Sequence, residues 1–377
     1  MSTRRPLRLS FVSLRSLSRH VAGVNRPRGG AEAQVATLAE SMAARGHDVS
    51  IILADYCGDM LARPRTSSLR LINAYDESAG VAGLRFIPRW QGLVRAMREA
   101  DADVYYQMCA GGSAGQIAMW ARGARRGFIF ATSSNMDTHP AEVGLGPRDQ
   151  WLYRYGLQHA DVILTQHSGQ RDDLRANYGV TSDVIALGVD VPSIVPTPAD
   201  PPEILWLGSI KTIKRPELLL DLARRMPDVR FVMAGGRVAG EESVYDSVET
   251  AASALPNVQF AGTVPETAPY LARAYALVST SAVEGFPTVF LEAWANGVPT
   301  VSYFDPGGLI VRETLSPVVA SAAEMEAAIR RLLTHRADRD ALGAHARAYV
   351  RREHEADVVA ARFEAALYAA AQRHGRM

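Results

Sequence analysis

Cysteine is nearly absent: Cys57 and Cys109 are the only two in 377 residues. A disulfide framework and a cysteine-built metal cage are thereby excluded, and with no signal-peptide pattern at the start a reducing, cytoplasmic setting is expected. No apolar run reaches the roughly 18 residues of a spanning helix, and the first strand-like run is broken by Arg8 and Arg15. Net charge is equally scarce, since 41 basic side chains meet 40 acidic ones for a formal +1. A field that weak gives no footing for a nucleic-acid partner. Lysine is rarest of the charged residues: Lys211 and Lys214 stand against 39 arginines.

What is present is the composition of a folded chain, 47% hydrophobic and 21% charged, with length for two or three domains. Short apolar runs alternate with helical periods, the mark of βαβ units and parallel sheets. Strands are predicted at 7–14, 49–54, 104–107, 128–131 and 162–165, and the clearest helix runs from Ala31 to Arg45 before Gly46. Five prolines and no period between Gly188 and Pro202 read as a linker. A second series follows, with strands at 204–207, 230–234, 258–261, 276–279 and 300–303 and helices at 217–226, 288–295 and 322–333. The expected organisation is a Rossmann-like domain over 1–188, a linker over 189–202 and a second Rossmann-like domain over 203–353. A tail helix over 354–377 is expected to cross back to the first domain. Two such α/β domains present the carboxyl ends of their parallel sheets to a shared cleft.

The strongest motif is SAVEGFPTVFLEAWANGVPTV, where Glu284 and Glu292 lie eight residues apart around Gly285, Phe286, Pro287 and Thr288. Pro287 suits a first helical turn, after which the amides of Thr288 and Val289 offer an anion site. Carboxylates beside an anion site would repel phosphate, so each more sensibly faces hydroxyls, the layout of ribose, diphosphate and hexose in a nucleotide sugar. Two solvated glutamates beside an ordinary helix start are the competing reading. Both lysines fall in LGSIKTIKRPE, a strand end and loop before a helix, where ammonium binds phosphate as a point charge. In PRGGAEAQ, Gly29 and Gly30 precede a helix and allow close backbone approach.

On these residues the chain resembles the family 4 glycosyltransferases of the GT-B fold over nearly its whole length. The resemblance rests on EGFPTVFLE, KRPELLLDLA, the Gly235-Gly236 turn after FVMA, the GGAE of the N-terminal half and the GVDVP linker. It implies a retaining, metal-independent enzyme that moves a hexosyl group from a UDP- or GDP-sugar to a hydroxyl acceptor (a glycan, lipid-linked or small molecule), without a cofactor. It further implies that Glu284 contacts a hydroxyl of the donor sugar and Glu292 holds the ribose diol. Phe286 and Thr288 present backbone to sugar and diphosphate, Lys214 binds the diphosphate, and Thr263 and Val264 form the base loop. Glu284 and Lys214 are the catalytic candidates. Gly208, Ser209, Lys211, Gly235, Gly285, Pro287 and Val289 complete the donor set with Gly29 and Gly30.

The chain departs from the family pattern at several positions. Ser209 stands where an arginine is usual, and Gln107, Met108 and Cys109 stand where many members place a histidine after the fourth strand. The strand FIFATSSNMD ends in Ser133, Ser134 and Asn135. Gln107, Cys109, Ser134 and Asn135 are therefore the acceptor candidates. Lys211 is the candidate for the charge that Ser209 does not supply, with Arg215 as its fallback. Asp101 and Asp103 match a metal-binding D-x-D but precede a strand, at its end remote from the site; His139, His159 and His167 lack ligand spacing. Trp151, Tyr153 and Tyr155 are read as core or rim preceding a helix. Residues 1–100 carry 15 arginines against 8 acids, so Arg4, Arg5, Arg8, Arg15, Arg19, Arg26 and Arg28 make the N-terminal region a candidate for peripheral contact with the inner membrane surface. The rival functions are an epimerase of the same fold, which would need acid and base groups in the N-terminal half, and a catalytically silent nucleotide-sugar binding protein.

Overall fold

The computed structural model describes residues 5–14, 30–54, 69–76, 85–185 and 187–376, with backbone alone for 30–33. Gly29, Cys57, Arg4, Arg15, Arg19, Arg26 and Arg28 lie outside the described residues. The chain divides into two compact units, Met1–Ala186 with Ala360–Met377, and Leu187–Val359. The stretch 189–202 read as a linker falls inside the second unit.

Unit 1 runs β1 (Arg8–Ser13), α1 (Gly30–Ala44), β2 (Asp48–Leu53), β3 (Leu69–Asn73), α2 (Phe86–Ala100), β4 (Val104–Met108), α3 (Gly112–Ala124), β5 (Gly127–Ala131), α4 (Pro147–His159), β6 (Val162–Thr165), α5 (Ser168–Tyr178) and β7 (Asp183–Val184). Unit 2 runs β8 (Glu203–Leu207), α6 (Glu217–Arg225), β9 (Arg230–Ala234), α7 (Glu242–Ser253), β10 (Val258–Gly262), α8 (Ala268–Arg273), β11 (Ala274–Ser279), α9 (Thr288–Ala295), β12 (Thr300–Ser302), α10 (Leu309–Arg312), α11 (Ala322–Thr334) and α12 (Arg336–Glu353). The last helix, α13 (Ala356–Gln372), begins after a break at His354 and Glu355, so the expected tail helix starts two residues late; from Ala360 it belongs to unit 1.

Each unit is one all-parallel sheet, ordered β3-β2-β1-β4-β5-β6-β7 in unit 1 and β10-β9-β8-β11-β12 in unit 2. Burial on both faces explains the unbroken apolar strands. In unit 1, Phe11, Ile51, Tyr106 and Ile129 pack with Val35, Met42, Phe363 and Leu367 on one face, while Val12, Ile52, Tyr105 and Phe130 pack with Leu93, Ile117 and Tyr153 on the other. Unit 2 repeats the plan, with Trp206, Phe231 and Val278 on one face and Leu205, Val232 and Leu277 on the other. Strands β3 and β7, at the edges of the unit 1 sheet, escaped the sequence reading because neither is an unbroken apolar run. Arg70 interrupts β3, and β7 has two residues. Trp151, Tyr153 and Tyr155 lie inside α4 rather than before a helix, with Tyr153 fully buried and Trp151 exposed. No described helix is long and apolar enough to cross a membrane.

Helices α3 and α4 cross at near backbone contact. A Cβ on Gly115 would lie 2.2 Å from the Leu152 carbonyl oxygen, and one on Gly156 would lie 2.6 Å from the carbonyl carbon of Ala114. Gly123 on the same α3 has nothing within 4 Å. Replacing Gly115 with Ala is expected to destabilise the chain by about 1 to 3 kcal/mol through overpacking. Gly123→Ala should stabilise by roughly 0.5 to 1 kcal/mol, since alanine is the better helix former. Urea midpoints at constant m-value measure both, and equal shifts of the two variants would refute the packing argument.

Candidate active site

Strand order in unit 2 reverses between β8 and β11, the point where loops leaving two neighbouring carboxyl ends diverge and leave a crevice. The loop after β8 carries Lys211 and Lys214; that after β11 carries Glu284. Side chains and backbone stitch the two together. The Thr280 hydroxyl donates to the Lys214 carbonyl at 2.7 Å and accepts the Trp206 indole N–H at 2.9 Å. The Ala282 amide donates to the Ile213 carbonyl at 2.9 Å. Arg215 donates from Nε to the Thr280 carbonyl at 2.7 Å and from Nη2 to the Ser281 carbonyl at 3.3 Å. Held by this frame, the Lys214 ammonium meets the Glu284 carboxylate, each side chain only 15–16% exposed.

Four residues after Glu284 comes the start of α9. Pro287 is the residue before the helix, not within its first turn, and the first backward bond runs from the Phe290 amide to the Pro287 carbonyl at 3.0 Å. The amides of Thr288 and Val289 therefore precede the helical ladder and carry the positive end of its dipole. Gly285 and Phe286 are buried, Phe286 with its ring centroid 5.2 Å from that of His354. One turn further along, Glu292 accepts the Thr267 hydroxyl at 3.3 Å, on the segment that follows β10 and holds exposed Thr263 and half-buried Val264. Thr267 was invisible to sequence reasoning, because no spacing rule links it to Glu292.

The remaining donor candidates divide. A Cβ on Gly235 would lie 2.1 Å from the Gly208 carbonyl oxygen, so packing alone requires glycine there. A Cβ on Gly208 would have only the Trp206 ring within 4 Å, at 3.8 Å, so packing does not require glycine there. Ser209 is half-buried between Gly208 and Ile210. Lys211 begins a short 3₁₀ turn whose Thr212 amide donates to the Glu241 carboxylate at 2.6 Å. That hydrogen bond lowers the Glu241 pKa, with the charge of Lys211 a lesser contribution. Lys211 thus stands beside a carboxylate that no local spacing marks. Arg215, its fallback, is directed into backbone carbonyls.

In unit 1 the order reverses between β1 and β4. The loop after β4 begins with Cys109 at φ 79°, and its amide bonds to the Ala131 carbonyl at 3.1 Å. Gln107 donates from Nε2 to the Ser113 hydroxyl at 2.6 Å while its buried Oε1 has no partner. Ser134 caps the 3₁₀ turn Asn135–Thr138 and Asp137 caps Ser134 in return, a reciprocal box legible as Ser-x-x-Asp. Asp137, which sequence reasoning passed over, also accepts the Ser133 amide at 2.6 Å, the Ser133 hydroxyl at 2.9 Å and the Ala110 amide at 3.2 Å. It therefore joins the loops that carry Cys109 and Ser134. Asn135 Oδ1 accepts from His167 Nε2 at 3.0 Å and Gln170 Nε2 at 3.1 Å, which makes His167 structural. The D-x-D pair is held by arginines: Asp103, fully buried, by Arg8 at 3.3 Å and Arg126 at 3.4 Å, and Asp101 by the same two. Arg8 is thereby committed to these carboxylates. Among the described residues no cluster of three His, Cys, Asp or Glu side chains is placed to hold a metal.

Two doubly wound units, one with a cation and a carboxylate meeting at its switch point, define a GT-B architecture. The description "Glycosyl transferase 4-like domain" matches residues 29–188 and "Glycosyl transferases group 1" matches 201–335, and the chain belongs to the family 4 glycosyltransferases of the GT-B fold. Among curated relatives, the lipopolysaccharide core biosynthesis glycosyltransferase LpsE of Rhizobium meliloti (strain 1021) is 35% identical over 109 residues, 28% of this chain. The match spans about a third of that relative's length, 31%. A sucrose-phosphate synthase from Thermosynechococcus elongatus shares the fold at TM-score 0.75 and 19% identity, over 97% of this chain and 98% of that one. Anabaena HepE in complex with UDP-glucose does so at TM-score 0.72 and 15% identity, over 96% and 99%.

Thr280→Val removes a hydroxyl that serves two loops and leaves the Trp206 indole N–H buried without its acceptor. A stability loss of about 1 to 3 kcal/mol is expected. Thermal unfolding of this near-isosteric variant measures it, and an unchanged midpoint would show that the two loops hold together without it.

Proposed function

We propose that the chain is a retaining, metal-independent hexosyltransferase that uses a nucleoside diphosphate sugar, UDP- or GDP-linked, and a hydroxyl acceptor. The observation that carries this reading is the convergence of Lys214, Glu284 and the start of α9 at the β8/β11 switch point. As the glycosidic bond breaks, negative charge gathers on the departing diphosphate. Lys214 and the Thr288 and Val289 amides are aimed at that charge, in a setting where fixed donors need no reorganisation. Lys214 then exchanges Glu284 for phosphate, which frees Glu284 to accept a hydroxyl of the hexose. Glu292, already a hydroxyl acceptor for Thr267, takes the ribose diol, and Thr263 and Val264 line the base. Lys211 supplies the second cation that Ser209 lacks, and Gly208 lets the donor approach the backbone.

No protein nucleophile enters this scheme. The leaving phosphate takes the proton of the acceptor hydroxyl as the bond from the anomeric carbon to the diphosphate breaks and the acceptor oxygen bonds that carbon on the same face. Gln107, Cys109, Ser134 and Asn135 are the acceptor contacts; the unpartnered Oε1 of Gln107 suits a hydroxyl donor. UDP-glucose in the complex of HepE supports the donor class, and LpsE, a lipopolysaccharide core glycosyltransferase, supports a glycan acceptor. With cationic side chains and amides in the place of a divalent ion, no metal is required.

Glu292→Gln is expected to weaken nucleoside diphosphate binding by about 1 to 3 kcal/mol, the scale of a hydrogen bond to a charged group. Calorimetric titration with UDP and GDP measures this, and equal binding by wild type and variant would overturn the ribose assignment. Turnover should survive EDTA. Loss of activity restored by magnesium or manganese would replace the lysine-and-amide scheme with a metal-assisted one.

A further inference from the structure

Arg215 is the one residue of the lysine loop with a left-handed backbone, at φ 46°, where glycine would be unstrained and a large side chain is disfavoured. Its side chain compensates. The guanidinium spends Nε and Nη2 on the carbonyls of Thr280 and Ser281, and its carbon lies 5.1 Å from the centroid of the Tyr303 ring. Those carbonyls close β11 and open the loop to Glu284, while the carbonyl of Lys214, next to Arg215, is taken by the Thr280 hydroxyl. Arg215 thus grips the Glu284 loop from a backbone position adjacent to Lys214, with its fork aimed at peptide oxygens rather than at a ligand.

We infer that Arg215 is a positioning residue: a clamp that fixes the Lys214 backbone and the Glu284 loop in the one register that serves transfer, contributing no charge to the donor itself. The inference rests on the reading of Lys214 as the diphosphate ligand. It separates Arg215 from Lys214 although the two are sequence neighbours. A flexible lysine side chain reaches a bound diphosphate from a range of backbone positions, whereas reaction demands that cation and carboxylate be set together. Loss of the clamp therefore falls on turnover more than on affinity.

The experiment compares wild type, Arg215→Ala, Arg215→Lys and Lys214→Ala. UDP and GDP affinity is measured by calorimetry, and kcat by hydrolysis of UDP-glucose and GDP-glucose. Arg215→Ala is expected to lower kcat about tenfold or more, with the nucleoside diphosphate Kd within about threefold of wild type. Added guanidinium ion should restore part of the lost kcat by refilling the fork, and Arg215→Lys, which keeps a single donor group, should fall between the two. Arg215→Lys also serves if the alanine variant does not fold. A Kd raised as far as in Lys214→Ala would overturn the clamp by making Arg215 a ligand contact; so would wild-type kcat in Arg215→Ala. Wild-type binding in Lys214→Ala would count against the diphosphate reading instead, leaving the clamp to be judged on kcat and guanidinium rescue.

Discussion

A single hydroxyl joins two loops 66 residues apart, as Thr280 donates to the Lys214 carbonyl. The rest of the site follows from that closure. Parallel strands β8 and β11 lie side by side because the sheet reverses its order there, so the loops they release leave in opposite directions. Without cross-links the two would diverge. Thr280, Arg215 and the Ala282 amide hold them, and the opposed charges of Lys214 and Glu284 meet in consequence. The ion pair is an outcome of the frame rather than its cause, since taking two charges largely out of water costs much of what their attraction returns.

Much of this was legible in the sequence because parallel, doubly covered sheets write themselves as apolar runs. The lysine loop stood out because it holds both lysines of the chain, and EGFPTVFLE because two glutamates flank a glycine and a proline before a helix. Strands β3 and β7 stayed hidden, β3 because Arg70 interrupts its apolar run and β7 because two exposed residues carry no period. Glycines carried mixed information. Gly235 looked like a ligand glycine and is explained by the carbonyl of Gly208, a contact between strand ends that only folding brings together. Thr267 and Glu241 were silent for the opposite reason, because their partners Glu292 and Thr212 are 25 and 29 residues away and no local pattern marks either pairing.

Unit 1 uses the same geometry with different chemistry. Where unit 2 places a cation against a carboxylate, the loops after β4 and β5 are joined by Asp137 through backbone amides and a serine hydroxyl. The amides of a loop are fixed in direction, so a carboxylate that collects them sets the loop's shape without committing a side chain that faces outward. Asn135, at the start of the 3₁₀ turn that Ser134 and Asp137 cap, is held in turn by His167 and Gln170.

The placement of α13 bears on how the chain is made. Phe363, Leu367, Ala370 and Ala371 belong to the same core as Phe11 and Tyr106, and a Cβ on Gly127 would lie 3.1 Å from the Ala370 carbonyl. Unit 1 is therefore discontinuous in sequence, whereas unit 2 is a single stretch from Leu187 to Val359. During synthesis the ribosome delivers all of unit 2 before it delivers the last wall of unit 1. The usual order, in which the N-terminal domain folds first, is thus reversed for completion of the core. Until residues 360–371 emerge, α1 alone covers that face of the sheet, and a nascent chain stalled before that point would leave the part that Phe363, Leu367, Ala370 and Ala371 cover as an open apolar surface.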